Sequence, residues 1–189
     1  MNFIYPILLM ITMTTPVQPA IDFTAKTIEG KDFTLSSLKG RKIYLSFYRN
    51  GACAVCNMRV HEISLQQEAF DKAGIEIIAV FESSIEDMKP YVGSQELAFT
   101  LLSDPEGKLY DLYNIKSSPE LVNQVMTSGS ANSRIAEAGE AGYKLTKQEG
   151  SNFFRIPAEV LIDENFFVKK IHHADKLVNH LPIEEVLKF

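Results

Sequence analysis

The two cysteines of this 189-residue chain, Cys53 and Cys56, form a Cys-x-x-Cys motif where a strand pattern gives way to a helix pattern. The preceding segment, Lys42–Tyr48, is rich in aromatic and branched residues and predicts a buried strand. In the first turn of a helix, unpaired backbone N–H groups and the helix dipole favour the thiolate, the nucleophilic form of cysteine. Two thiols one turn apart can also form a disulfide, so the motif predicts a dithiol in which one sulfur attacks and the other resolves.

Helix position separates the two roles. Positions 53, 56, 60 and 63 form a stripe that we expect to face the sheet. Cys56 lies inside this stripe and Cys53 stands at the helix entrance, so we expect Cys56 to be the more buried sulfur and Cys53 to attack. Arg49, four residues before Cys53, is expected to lower the pKa of that thiol.

Two other uses of the cysteine pair were weighed, half of a zinc site and a pair of inert buried thiols. With no further cysteine, zinc would need His61, His172, His173 and His180, and the last two are spaced more widely than in zinc fingers. We expect His61 on the solvent face and structural roles for His172 and His173. A Cys-x-x-Cys motif after a strand favours redox use, with no metal and no cofactor.

Composition limits the class of protein. Hydrophobic residues make up 46 % and charged residues 23 % of the chain, which is typical of a globular domain. The net charge of −5, without a basic block, argues against nucleic-acid binding. Two cysteines cannot hold together a disulfide-stapled secreted scaffold of this length.

The N-terminus carries a short apolar run over residues 3–13. It is too short for a membrane-spanning helix and is interrupted by Pro6, so a membrane location is not expected. Its length suits a signal peptide, but no basic residue precedes it and residues 18–20 make a poor cleavage site. We therefore predict an extension over residues 1–15, a single domain over 16–189 and a cytoplasmic location, with export as the alternative.

Strand and helix patterns alternate along the domain. A hairpin over Ile21–Leu35 precedes strands at Lys42–Tyr48, Ile75–Phe81 and Phe99–Leu102, separated by helices at Cys53–Lys72 and Ser83–Ser94. The chain ends with helix Glu106–Tyr113, an insertion over about 116–152, a hairpin of Glu159–Asp163 with Phe166–His172, and helix Leu181–Phe189. This order predicts an α/β fold with a central mixed sheet flanked by helices. The insertion is expected to be partly helical and either a lid over the cysteines or a surface decoration.

Four segments together resemble the peroxiredoxin-like proteins of the alkyl hydroperoxide reductase C/thiol-specific antioxidant family. They are Ala20–Phe23 with Gly30, Phe47–Asn57, Leu101–Pro105 and Ile156–Asp163. The resemblance covers the chain from about residue 16 and implies a thioredoxin-like fold with thiol-based redox chemistry. In such a fold Pro157 is expected to follow a cis peptide bond and to pack against the start of the cysteine helix.

The chain departs from the family at two positions. In the family's Pro-x-x-x-Thr-x-x-Cys register, Cys53 replaces the threonine and Cys56 takes the peroxidatic position. The arginine that polarises the peroxide falls in register with Pro157, leaving Arg49 or Arg155 as substitutes. The family register thus makes Cys56 the attacker, whereas the helix argument makes it Cys53.

These observations predict a thiol-dependent oxidoreductase, with peroxide reduction slightly favoured by the resemblance. A thioredoxin-like protein disulfide oxidoreductase is the alternative, and a non-catalytic thioredoxin-fold interaction module is the second alternative. The expected partners are a peroxide or disulfide substrate and a thioredoxin- or glutaredoxin-type reductant.

Overall fold

A computed structural model describes residues 18–144, 146–175 and 177–189. The predicted extension over 1–15 lies outside the described residues. Eight strands form one sheet in the order β1-β8-β7-β4-β5-β6-β2-β3. The strands are β1 (Gln18–Pro19), β2 (Thr24–Thr27), β3 (Asp32–Thr34), β4 (Lys42–Tyr48), β5 (Ile75–Phe81), β6 (Thr100–Ser103), β7 (Ala158–Ile162) and β8 (Phe167–His173).

The described α-helices follow the strands in the expected alternation. They are α1 (Ala54–Ser64), α2 (Gln67–Ala73), α3 (Ile85–Met88), α4 (Lys108–Leu112), α5 (Pro119–Ser128), α6 (Asn132–Glu140) and α7 (Ile183–Val186). The insertion holds α5 and α6, so its partly helical character is confirmed. None of the helices in the described part of the chain has the length and apolarity needed to cross a membrane.

The centre of the sheet carries the cysteine helix. Strand β4 runs parallel to β5 and antiparallel to β7, which confirms the mixed sheet. Both β4 and β5 are almost wholly buried and have the bounds that their apolar runs predict. The N-terminal hairpin is also confirmed, as β2 paired with β3.

Two apolar layers cover the two faces of the sheet. One contains α1, α2 and the buried Ala138 of α6, together with Tyr44, Tyr48 and Phe81 from the strands. The other contains Phe47 and Val80 from the strands with Leu109 and Tyr110 of α4. Because the parallel strands are covered on both sides, the chain emerges from β4 directly above the first layer, where α1 begins.

Four expected helices are shorter than the sequence pattern predicts. One of them, expected over Glu106–Tyr113, is reduced to α4. The helix expected over Cys53–Lys72 breaks after Ser64, whose Oγ bonds to the carbonyl of His61 and competes with the helical ladder. The helix over Ser83–Ser94 begins at the predicted cap, Ser84, but stops before Pro90, which lacks an N–H donor. The closing helix begins only after Pro182.

Candidate active site

Cys53 and Cys56 form a disulfide across the first turn of α1, with Cα atoms 5.2 Å apart. Cys53 is the N-cap of the helix, and its backbone N–H is held by the carbonyl of Asn50 at 3.2 Å. The chain makes this turn directly after β4, so the central strand fixes the position of both sulfurs.

The two cysteines are equally buried. Each is 4 % exposed, so the expectation that Cys53 is the more exposed sulfur is wrong. The rest of the stripe is confirmed, because Val60 and Ile63 are fully buried on the same helix face. Residues from the range 146–157 lie at the same end of the sheet and line one cavity with Cys53.

Two donors point at the Cys53 sulfur. The backbone N–H of Cys56 donates to Cys53 Sγ at 3.3 Å, and Arg49 Nη2 donates to the same atom at 3.4 Å. Arg49 also lies over the Phe153 ring at 4.9 Å. Burial lowers the pKa of Arg49, yet a guanidinium keeps its charge at neutral pH. In the reduced protein both donors favour a thiolate at Cys53.

A buried amide holds the turn that carries Cys53. Asn57 Nδ2 donates to the carbonyls of Gly51 at 2.7 Å and Cys53 at 2.9 Å. Gln95 Nε2 in turn donates to Asn57 Oδ1 at 3.1 Å. Asn57 was not among the predicted site residues, although a polar side chain in an otherwise apolar helix turn is a signal that could have identified it.

Pro157 lines the same cavity as both cysteines, at the entrance to β7. The described residues contain no cis peptide bond, so the expected cis Ile156–Pro157 bond is wrong. The backbone N–H of Ile156 is taken by Lys116, and the Pro157 carbonyl accepts from Ala174 at 3.1 Å. These bonds hold an extended trans chain that leads straight into the strand.

Arg155 forms an ion pair with the carboxylate of Glu82. Its Nε and Nη2 donate to the two oxygens of Glu82 at 2.7 and 2.9 Å, and Nη1 donates to the Ile115 carbonyl at 2.5 Å. The guanidinium also lies 4.6 Å from the centre of the Tyr110 ring. Of the two arginines considered as substitutes for the family arginine, Arg49 therefore contacts the disulfide and Arg155 is occupied.

A cavity of about 460 Å³ opens beside the disulfide, and we call it the dithiol cavity. It is bordered by the cysteine turn, by the insertion with the segment that follows it, and by the chain before α7. Its lining residues are Arg49, Asn50, Cys53, Val55, Cys56, Met126, Ala131, Ile135, Thr146, Lys147, Gln148, Gly150, Ser151, Phe153, Arg155, Pro157, Leu177 and Val178. The insertion is thus part of the wall around the cysteines.

Side-chain hydrogen bonds hold the end of the insertion against the site. Ser151 Oγ accepts from Asn50 Nδ2 at 3.2 Å, and Gln148 Oε1 accepts from Ser83 Oγ at 3.1 Å. Ser83 Oγ also accepts from the Gly51 N–H, which lies in the cysteine turn. The buried Ser83 hydroxyl therefore connects the end of the insertion to the cysteine turn.

The histidines lie apart from the cysteines. His61 is exposed, as expected, and His172 Nε2 contacts the Asn179 carbonyl at 2.8 Å. His180 lies beside the buried carboxylate of Glu159, at 3.2 Å. Within the described ranges, no three His, Cys, Asp or Glu side chains converge as metal ligands.

The comparisons with known proteins agree with this geometry. The AhpC/TSA family matches residues 16–171. Peroxidoxin BcpB from Mycobacterium tuberculosis superposes with a TM-score of 0.65 at 13 % identity, over 91 % of this chain and 93 % of that one. The mitochondrial 2-Cys peroxiredoxin from Plasmodium falciparum gives 0.62 at 18 %, over 90 % and 89 %. These likenesses confirm the thioredoxin fold.

A protein from Chlorobium tepidum assigned as thiol:disulfide interchange protein DsbE also superposes, with a TM-score of 0.56 at 20 % identity. That match covers 82 % of this chain and 83 % of that one. A search of the curated proteins finds no match.

Proposed function

Because this chain belongs to the AhpC/TSA family and is a thiol redox protein of the thioredoxin fold, we propose that it reduces hydroperoxides with Cys53 as the attacking thiolate and Cys56 as the resolving thiol. The observation that carries the proposal is the pair of donors on one sulfur. Both the Cys56 N–H and the Arg49 guanidinium point at Cys53 Sγ. This assignment follows the helix argument rather than the family register, which makes Cys56 the attacker.

The chemistry needs no group beyond the dithiol and its substrates. The Cys53 thiolate attacks the terminal oxygen of the hydroperoxide, the O–O bond breaks, and the leaving alkoxide takes a proton to become an alcohol. Arg49 stabilises the charge on the thiolate and on the leaving oxygen, the role of a preorganised donor. The Cys56 thiol then attacks the Cys53 sulfenic acid, releasing water and forming the disulfide. An external dithiol reductant of the thioredoxin or glutaredoxin type restores both thiols.

Burial favours a small substrate over a protein disulfide. Each cysteine is 4 % exposed, and the sulfurs border a cavity rather than an open surface. A cavity of about 460 Å³ has room for a small hydroperoxide. Before a disulfide on a folded partner protein could reach the cysteines, residues 146–153 would have to be displaced.

Rapid mixing of the reduced protein with hydrogen peroxide or cumene hydroperoxide tests the proposal. We expect two thiols to be lost for each peroxide consumed. The rate should exceed that of free cysteine by at least about a hundredfold, the contribution of one preorganised donor. A rate equal to that of free cysteine would contradict the proposal. The variant Cys53→Ser/Cys56→Ser is the control and should consume no peroxide.

A thiol–disulfide oxidoreductase is the second candidate, favoured by the closed disulfide and by Pro157 beside it. It predicts rapid reduction of insulin disulfides by the reduced protein together with a slow peroxide reaction. If the protein does neither faster than free cysteine, the non-catalytic interaction module remains and the redox assignment is wrong.

A further inference from the structure

The dithiol cavity carries positive charge although the whole chain has a net charge of −5. Arg49, Lys147 and Arg155 line it, and no Asp or Glu is among the described residues that do so. Arg155 is neutralised by Glu82. In the described part of the chain, no acidic side chain pairs with Arg49 or Lys147. In the disulfide form the uncompensated charge of the cavity therefore comes from these two residues. In the reduced form, where the Cys53 thiolate faces Arg49, it comes from Lys147.

The cavity is also larger and more apolar than hydrogen peroxide requires. A volume of about 460 Å³ falls within the range of small-molecule sites, whereas one water molecule occupies about 30 Å³ of liquid. Much of the wall is apolar and consists of Val55, Met126, Ile135, Leu177 and Val178. A molecule that fills this space has an apolar body.

We propose that the dithiol cavity binds a small carboxylate-bearing molecule with an apolar body and presents its reacting group to the Cys53 sulfur. The inference deepens the proposed function, since it names the molecule that enters the same site. Lys147 is exposed, which suits it to bind the carboxylate at the mouth. Arg49 contacts Cys53 Sγ at 3.4 Å and faces the reacting group.

Two molecules share this chemistry. One is an organic hydroperoxide of a carboxylic acid, which oxidises the dithiol as described above. The other is a low-molecular-weight thiol acid, which reduces the disulfide. Its thiolate attacks the Cys53 sulfur, forms a mixed disulfide and releases Cys56 as a thiolate that takes a proton. A second thiolate attacks the substrate sulfur of the mixed disulfide, releasing the Cys53 thiolate and a small-molecule disulfide.

The test measures the two half-reactions separately on the full-length protein. In the oxidising arm, reduced protein reacts with linoleic acid hydroperoxide or with its methyl ester. In the reducing arm, oxidised protein reacts with 8-mercaptooctanoate or with its methyl ester. Each rate is divided by the rate of the same reagent with mercaptoethanol or its disulfide, which removes differences in intrinsic reactivity.

We expect the acid to react about tenfold faster than its ester in at least one arm at low ionic strength, with the preference shrinking as salt is added. The arm that shows the preference identifies the molecule. Equal corrected rates for acid and ester in both arms would overturn the inference. A slow reaction with peroxide counts against the proposed function. The preference for the acid can still be measured in that case, because the reducing arm needs no peroxide.

Lys147→Gln locates the preference. We expect this variant to reduce the acid-to-ester ratio about threefold, as the loss of one exposed ion pair does. Lys144→Gln is the matched control, because Lys144 is exposed on the same segment but does not line the dithiol cavity. An equal fall in both variants would show attraction by general surface charge and would contradict a site in the cavity.

Discussion

At the scale of residues, the reactivity of the site depends on where two donors point. The Cys56 N–H and the Arg49 guanidinium both contact Cys53 Sγ, at 3.3 and 3.4 Å. The helix supplies the first donor to whatever residue caps it, so the second decides how far the thiol pKa falls. Arg49 is thus the side chain whose removal changes the chemistry without removing a sulfur.

Removing the Arg49 charge should raise the pKa of Cys53. In a Cys56→Ser background, Arg49→Gln is expected to raise that pKa, because an opposite charge within a few ångströms is lost. The pH dependence of iodoacetamide alkylation measures it, with the rate at neutral pH falling up to about tenfold. Arg41→Gln is the control, since Arg41 is exposed and pairs with Glu76 instead. An unchanged alkylation profile for Arg49→Gln would show that the contact does not tune the thiol.

The local part of the site was predictable from sequence, and the distant part was not. Cys53, Cys56 and Arg49 lie within eight consecutive positions, so the short connection from β4 to α1 brings them together. The cavity beside the two sulfurs is lined by residues from the range 146–157, which are far along the chain. Asn57 was missed because its role depends on carbonyls in the turn and on Gln95.

At the scale of elements, the cysteine turn is held between β4 and the start of α1 by close packing. A Cβ added to Gly51 would lie 3.0 Å from Met88 Cα and 3.1 Å from the Asp87 carbonyl oxygen. Both neighbours are backbone atoms of the α3 segment, which cannot rotate away. The turn therefore requires glycine for space rather than for an unusual backbone angle.

Gly51→Ala should lower the free energy of unfolding by about 1–3 kcal/mol, the usual cost of overpacking. Gly139→Ala is the matched comparison, because Gly139 lies inside α6 and a Cβ there meets nothing within 4 Å. It should raise stability by about 0.5–1 kcal/mol through helix propensity. Urea unfolding of both variants measures the difference, and a neutral or stabilising Gly51→Ala would contradict the packing account.

The strands were easier to predict than the helices. Long apolar runs define β4 and β5, so their bounds follow from the sequence. Two helices were predicted too long because one residue stops them, Pro90 after α3 and Ser64 at the end of α1. Amphipathic periodicity continues past such residues even where the backbone does not.

At the scale of the whole molecule, one buried carboxylate ties the C-terminal segment to the sheet. Glu159 of β7 accepts from Tyr44 Oη at 2.7 Å and from the Leu181 N–H at 2.8 Å, and it contacts His180 at 3.2 Å. Arg59 of α1 donates to the Leu181 carbonyl at 2.6 Å. This network holds in place the chain that precedes α7, and that chain forms one wall of the dithiol cavity.

The same network makes stability depend on pH. Burial alone would raise the pKa of Glu159, but the hydrogen bond and charge of His180, with the Tyr44 and Leu181 bonds, lower it below its ordinary 4.5. A lowered pKa in the folded state stabilises the protein above the ordinary value, and this contribution is lost as pH falls through the lowered one.

Glu159→Gln should therefore lower the free energy of unfolding at neutral pH by roughly 3 kcal/mol, since it breaks a buried charged network. The difference in the free energy of unfolding between wild type and variant should become smaller as the pH falls below 4.5. Urea unfolding across this range measures it, with Glu29→Gln, in the exposed β2–β3 turn, as the control. A difference that stays constant with pH would show that the carboxylate charge contributes nothing.

The overall architecture was predictable because the order of strands and helices and the family resemblance agree. The mixed sheet, the N-terminal hairpin and the helical insertion all follow from that order. The order of the elements does not show that the insertion lies against the cysteines. The composition of the insertion suits a lid and a surface decoration equally well. Its position became evident only from residues such as Met126 and Ile135, which face the cysteines across the cavity.

The identity of the attacking sulfur is the central claim, and two single-cysteine variants test it directly. Each reduced variant is mixed with hydrogen peroxide, and sulfenic acid formation is followed by dimedone trapping and mass spectrometry. We expect rapid labelling of Cys53 in Cys56→Ser and labelling of Cys56 in Cys53→Ser at about the rate of free cysteine. Faster labelling of Cys56 would contradict the account and restore the roles that the family register implies.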